Sequence, residues 1–242
     1  MKVTYLSHSG FLIEWEHCYW LFDYYKGEIP LEDRNKKLFV FVSHSHRDHL
    51  NTEIFELAGQ QKSCVYVIAN EAKRVCKNQQ DKDISFIKAW EDLVFEDGSG
   101  DEIKVHALCS TDCGVAFFLE YQGKTLYHAG DLHWWVWPGE PEEDNRKMTG
   151  SYQKEMEYLE GKSIDLAFTP LDPRQEEWYD RGADYLLEHA KIKMLFPMHF
   201  WGDFSIIDTY CNREKKLPPD VEIIKIEREG QCWEIPDCSK KG

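Results

Sequence analysis

No stretch of about 18 consecutive apolar residues occurs in the chain, so a membrane-spanning helix is not expected. Positive charge is scarce: 29 Lys and Arg stand against 44 Asp and Glu, a net charge of −15. A surface that tracks nucleic-acid phosphates needs clustered Lys and Arg. No such cluster is present, which argues against general nucleic-acid binding and leaves room only for a local basic pocket holding one phosphate. None of the eight cysteines, at positions 18, 64, 76, 109, 113, 211, 232 and 238, forms a C-x-x-C pair. The sequence opens Met1-Lys2-Val3-Thr4 directly into a strand pattern without an apolar signal segment. Free thiols in a reducing cytoplasm are therefore expected, rather than a secreted disulfide framework. No linker rich in Gly, Ser or Pro interrupts the chain and no repeat is visible, so residues 1–242 read as one domain.

Hydrophobic residues make up 42% and aromatics 14%, enough for a large core. Apolar runs and alternations predict strands at Val3 to Leu6, Phe11 to Trp15, Tyr19 to Phe22, Leu38 to Val42, Cys64 to Ile68, Ile84 to Ile87, Asp92 to Phe95 and Ile103 to Leu108. Val115 to Tyr121 and Thr125 to His128 form a hairpin pattern, and further strands are expected at Ile164 to Thr169, Lys193 to Phe196 and Val221 to Ile226. Helices are expected at Thr52 to Leu57 (capped by Thr52), Glu71 to Lys77, Met148 to Leu159, Trp178 to Ala190 and Ile206 to Cys211, with Glu140 to Asp144 a solvated loop. Strands dominate the first half and mix with helices in the second, which places the chain in the α/β (α+β) class.

The densest chemistry is Ser43-His44-Ser45-His46-Arg47-Asp48-His49-Leu50, directly after the Leu38 to Val42 strand. Neutral imidazoles and carboxylates are the ligands that borderline divalent metals favour. A lone histidine is usually a packed or surface residue; three with an aspartate at one strand end read as a metal site. Asp23, Asp112, Asp131, Asp172 and His199 also follow apolar strands, where strand ends far apart in sequence can converge.

The combination H-x-H-x-D-H (His44, His46, Asp48, His49), then Gly130-Asp131 after a later strand, then strand-end His199, resembles the metallo-β-lactamase superfamily. The opening His8-Ser9-Gly10-Phe11-Leu12-Ile13-Glu14 and the Tyr127 to Leu132 segment look most like the branch of ascorbate-phosphate lactonase-like hydrolases. The resemblance implies a four-layer αβ/βα sandwich with metals at one edge of two sheets. It assigns His44 and His46 to a first metal, Asp48, His49 and His199 to a second, and Asp131 to a bridge between them. Two Zn²⁺ ions are implied, with Mn²⁺ or Fe as alternatives. Such a pair, about 3.5–4 Å apart, would activate a water as hydroxide and polarise the scissile bond. Asp48 or Asp131 would take the released proton.

The family's third motif usually brings a histidine to the first metal. The matching corner here reads Ser110-Thr111-Asp112-Cys113-Gly114. Asp112 is the leading replacement; Cys113 or Cys109 as thiolate, or a first metal with two protein ligands only, stay open. His8 and Asp23 fit positions beneath the metal turn, where a carboxylate fixes a ligand's tautomer; the plainer reading is a turn histidine and a strand-ending aspartate. His133 reads as a general acid or as a loop residue without a role, and the indoles from Trp134 to Trp137 as a pocket wall or as loop packing. Arg174 forks onto a substrate carboxylate or phosphate, or pairs with Asp172.

The expected activity is a metal-dependent hydrolase that directs hydroxide at a small ester, lactone, amide or phosphodiester. The alternatives are a phosphodiesterase or nuclease of the same superfamily, a redox member relying on a separate flavin domain, and a non-catalytic metal-binding or sensing protein. The expected partner is a small-molecule substrate; a homo-oligomer is left open.

Overall fold

The hairpin of β1 (Lys2–Ser7) and β2 (Gly10–Glu14) starts a sheet that β3 (Cys18–Phe22), β4 (Lys37–Val42), β5 (Cys64–Ala69) and β6 (Ile84–Ile87) extend in sequence order. The computed structural model describes residues 1–57 and 60–236. Within this sheet β1, β2 and β3 pair antiparallel, and β3, β4, β5 and β6 run parallel. A second seven-stranded sheet contains β7 (Asp92–Glu96), β8 (Glu102–Cys109), β9 (Val115–Tyr121), β10 (Lys124–His128), β11 (Ser163–Pro170), β12 (Lys191–Met198) and β13 (Glu222–Ile223). Its first four strands are antiparallel and its last four parallel. Both sheets are therefore mixed, and both direct parallel strands toward the same functional edge.

Alternation along the strands divides the core into layers. Phe11, Phe22, Phe41, Phe117 and Phe168 face the partner sheet, where Phe22 stacks on Phe41 at 4.7 Å and Phe11 meets Phe168 at 4.6 Å. The intervening Leu12, Leu21, Val40 and Tyr66 face outward under the short helix α1 (Ile54–Leu57). On the far side, α2 (Glu142–Met156), α3 (Arg181–His189) and α4 (Ser205–Asn212) cover the second sheet, with α3 packed on β11 and β12. This is the expected αβ/βα sandwich, with a thin helical layer on the first sheet. No helix among the described residues is long and apolar enough to cross a membrane.

Several local expectations change. The turn before α1 is closed by Asn51, whose Oδ1 accepts from Glu53 N at 3.0 Å, rather than by Thr52. Glu71 to Lys77 shortens to a 3₁₀ turn over Asn70–Arg74. Glu142, Glu143 and Asp144 are not loop but the first turn of α2, where carboxylates complement the helix dipole. The helix expected from Trp178 is preceded by a 3₁₀ segment over Pro173–Trp178 and begins at Arg181. Val221 to Ile226 contributes only the two-residue β13, and β14 (Cys232–Glu234), unforeseen, closes the first sheet against β1. Seven cysteines are free thiols; Cys238 lies outside the described residues.

Candidate metal centre

The loop after β4 is pinned before its histidines can be placed. Ser43 N donates to Asp23 Oδ1 at 2.7 Å and Ser43 Oγ donates to Asp23 Oδ2 at 2.6 Å. On the other side of His44, Ser45 N and Ser45 Oγ donate to the Glu71 carboxylate at 2.6 and 2.9 Å. His49 and Leu50 amides then close a turn onto the His46 carbonyl. Two glycines let the second sheet approach this loop. A Cβ on Gly114 would fall 2.0 Å from Ser43 O, and one on Gly130 would fall 2.5 Å from Ser43 Cβ. Both glycines also have positive φ, a conformation that side-chain-bearing residues adopt at a cost. Hence the glycine beside Asp112-Cys113 and the one before Asp131 are steric requirements of the site.

Two groups of donor atoms converge at these strand ends. His8, Asp48, His49 and His199 offer ligand atoms within 4.8 Å of one another, as do His44, His46, Asp112 and Asp131. Asp131 stands between the groups: Oδ2 lies 3.3 Å from His44 Nε2, while Oδ1 lies 3.3 Å from His49 Nε2 and 3.4 Å from His199 Nε2. Within the first group His8 Nε2 lies 3.2 Å from Asp48 Oδ2. In the second, His44 Nε2 and His46 Nδ1 are 3.0 Å apart and Asp112 Oδ2 is 3.7 Å from His46 Nδ1. Ligands about 2.1 Å from a tetrahedral zinc would be about 3.4 Å apart, so these spacings suit an ion.

Polar satisfaction gives an independent test. His8 Nε2, His49 Nε2 and Asp131 Oδ1 are buried and lack any hydrogen-bond partner. Their short contacts with Asp48, His199 and one another lack hydrogen-bond geometry, and orphaned buried polar atoms cost about 1–3 kcal/mol each. Three such atoms aimed at one space fit a cation. Charge agrees: burial pushes Asp131 up, yet His49, His199 and His44 outweigh it and hold the carboxyl well below its ordinary range. Burial likewise opposes protonation of His44, but Asp131, Asp23 and Asp48 overcome this and raise it. The residues present a field that favours positive charge.

The rear nitrogens of the rings are anchored. His49 Nδ1 bonds Asp23 Oδ2 at 2.8 Å, and His199 Nδ1 bonds Asp172 Oδ2 at 3.0 Å. Ser43 spends its only proton on Asp23, so its Oγ accepts from His44 Nδ1 at 2.9 Å. Each ring is thereby held with Nε2 as the free lone pair toward the centre. Among the described residues, seven non-glycine residues have positive φ; His8, Asp23, His199 and Trp201 are four of them. Backbone strain of this kind concentrates where tertiary contacts over-determine a functional geometry.

Residues 2–144 match the family described as the Beta-lactamase superfamily domain. The chain belongs to the beta-lactamase superfamily. A UPF0173 metal-dependent hydrolase of Alkaliphilus metalliredigens is 31% identical over 254 residues, covering 94% of this chain and 98% of the relative. One from Pelotomaculum thermopropionicum is 28% identical over 222 residues, covering 83% and 84% of the two chains. Among solved structures, Igni18, a metallo hydrolase from Ignicoccus hospitalis, aligns with a TM-score of 0.65 at 15% identity over 97% of this chain and 99% of its own, a likeness of fold.

In this superfamily member the structure brings together His44, His46, Asp48, His49, Asp112, Asp131 and His199. It also moves His8 from beneath the metal turn into the donor group itself. Asp23 does lie beneath the turn. Cys109 and Cys113 belong to neither group, and burial pushes both thiols up, away from the thiolate form. His133 does not face the cavity. Its Nε2 bonds Gln175 Oε1 at 2.8 Å and its ring packs against Gly182, where a Cβ would fall 2.4 Å from Nδ1. Burial lowers its pKa to about 4, so of the two readings of His133 the structure favours a packed, neutral ring over a general acid.

The aromatic wall is also redistributed. Trp134 turns into the protein, with Nε1 on Thr149 Oγ1 at 3.0 Å and its ring stacked on Tyr152. Trp135 and Trp137, stacked at 5.6 Å, line the cavity instead, together with Trp201, which the sequence reading missed. A loop without periodicity gives no sign of which indoles point where; for Trp201 the available signal was its place two residues after His199. Asp172, previously only a partner for Arg174, carries His199 as well. The cavity above the donors measures about 420 Å³.

Proposed function

We propose that the protein is a metal-dependent hydrolase of a small ester, lactone, amide or phosphodiester. The observation carrying this reading is the position of Asp131 between two donor groups, with its Oδ1, His8 Nε2 and His49 Nε2 buried and without a hydrogen-bond partner. His8, Asp48, His49 and His199 would hold one ion, His44, His46 and Asp112 the other, and Asp131 would serve both. The donors suit Zn²⁺, with Mn²⁺ or Fe tolerated by the carboxylate-rich second group. A bound ion would lower the pKa of a water and polarise the scissile bond.

The chain's own residues do the rest. Asp23, Ser43 and Asp172 hold the Nδ1 atoms of His49, His44 and His199 and so turn each Nε2 toward the donors. Asp131 commits both carboxylate oxygens to the donor groups, which leaves Asp48, at the cavity surface, to accept the proton released from water. Trp135, Trp137 and Trp201 exclude solvent around the reacting group. A cavity of this size fits a small molecule better than a polymer, which favours a small substrate over a nuclease reading. Seven free thiols suit a reducing compartment such as the cytoplasm.

The test combines elemental analysis with a screen of esters, lactones, amides and phosphodiesters. Hydrolysis of at least one class should vanish with chelator and return with Zn²⁺ or Mn²⁺. Metal-loaded protein that turns over none of them supports the metal-binding or sensing alternative.

A further inference from the structure

Arg174 is held in an arrangement that the metal centre does not require. Asp172 at the end of β11 accepts from Arg174 N and Nε at 2.9 Å and from Arg174 Nη2 at 2.5 Å. The guanidinium carbon then lies 5.5 Å from the Trp137 ring and 4.7 Å from the Trp201 ring. Trp135 stacks on Trp137 in turn, so three indoles and one guanidinium form a continuous wall. Both partners of a planar cation on aromatic rings gain from the contact.

Five N–H donors belong to an arginine, and Asp172 engages only Nε and one edge of Nη2. Among the described residues, Nη1 has no protein partner, and half of the Arg174 side chain is exposed at the cavity. It is also the only Lys or Arg among the described residues that line this space. With Nε and Nη2 paired to Asp172 and two indoles beside the guanidinium, the Nη1 edge is the one left for a carboxylate or phosphoryl group, which binds guanidinium donors in their plane. The Asp172 pair fixes this edge before any ligand arrives, so little side-chain entropy is lost on binding.

We propose that the outer edge of Arg174 is the substrate-anchoring subsite, and that the substrate carries an oxyanion, carboxylate or phosphoryl, apart from the bond that is hydrolysed. This rests on the hydrolase reading and narrows its substrate class. The indoles beside Arg174 receive the apolar body of the substrate, and the oxyanion fixes which bond faces the metal centre. The same Asp172 that orients His199 orients Arg174, so the anchoring point and the centre are held by one carboxylate.

The experiment measures binding of phenylacetate, phenylphosphonate and the neutral phenylacetamide to the Zn²⁺-loaded full chain, by calorimetry and by indole fluorescence. At least one anion should bind about tenfold more tightly than the amide, and the preferred anion distinguishes carboxylate from phosphoryl recognition. In Arg174→Gln the anion-to-amide ratio should fall toward one, with partial recovery in Arg174→Lys. Trp137→Leu, which spares the Asp172 pair, should give an intermediate loss and guards against a folding defect in the first variant. A ratio unchanged in Arg174→Gln would mean that the metals alone hold the anion and would overturn the proposal, as would an absence of anion preference in the native chain. Failure of the hydrolase reading is separate: the binding ratio would persist while no ester, lactone, amide or phosphodiester is cleaved.

Discussion

Asp23 and His49, both fully buried, are joined by a 2.8 Å hydrogen bond from Nδ1 to Oδ2. Asp23 also receives both donors of Ser43, and so one carboxylate at the end of β3 sets the orientation of two rings from the next strand's loop. Burial pushes Asp23 up, but His49, His128 and His44 outweigh it and hold its pKa below the ordinary range. A carboxylate paired in this way strengthens the ligand it supports.

Replacing it therefore weakens metal binding without touching a ligand. Asp23→Asn should lower Zn²⁺ affinity by roughly 10–100-fold in a chelator competition. Affinity equal to the native value would show that the His49 ring is held adequately by packing alone.

The two donor groups differ in burial, and metal removal should expose that difference. His8, His49 and His199 are enclosed, whereas His46 and Asp112 are about half exposed. Titration with chelator should release one ion before the other, and His46→Ala should abolish the early release while lowering hydrolysis at least 100-fold. A single release step in the native protein argues against two unequal sites.

Gly130→Ala tests the steric argument for the glycine before Asp131. With φ at +50° and Ser43 Cβ only 2.5 Å from the new methyl, the backbone has to move. The expected loss exceeds about 1 kcal/mol and is read as a lower Tm. The control Gly123→Ala meets nothing within 4 Å; having positive φ too, it carries the conformational penalty alone and should lose less.

Far from the centre, the Asp97 carboxylate accepts from Tyr121 Oη at 2.6 Å and from the Ser99, Gly100 and Asp101 amides. Burial pushes it up, and these bonds, led by Tyr121 and Ser99, outweigh burial and leave the pKa lowered. Stability from a lowered carboxylate is present above its unfolded pKa and is lost as pH falls through the folded one. Asp97→Asn should therefore be less stable than the native chain at neutral pH, with the difference shrinking below about pH 4 in urea titrations. A gap that stays constant to pH 2 would remove the ionised carboxylate from the account.

Much of this protein was legible locally. The H-x-H-x-D-H turn, the strand before it and Gly130-Asp131 are short-range patterns, and alternation marks the strands because one face of each must be apolar. Helix α2 began earlier than its apolar stripe because acidic residues that look like loop also suit a helix start. The three-residue β14 had no pattern of its own; pairing with β1 defines it.

What the sequence determined by itself was the α/β class, the ligand types and the strand ends that carry them, since these follow from periodicity and local turns; the sandwich was implied by the superfamily resemblance of the motifs. Tertiary structure decided which side chains meet. It brought His8 into contact with Asp48 from the opening hairpin, turned His133 and Trp134 inward, and set both Trp137 and Trp201 beside the Arg174 guanidinium. Those outcomes depend on sheet packing and on loop torsions with no repeat, where neighbours in space are tens or hundreds of residues apart and no local rule connects them.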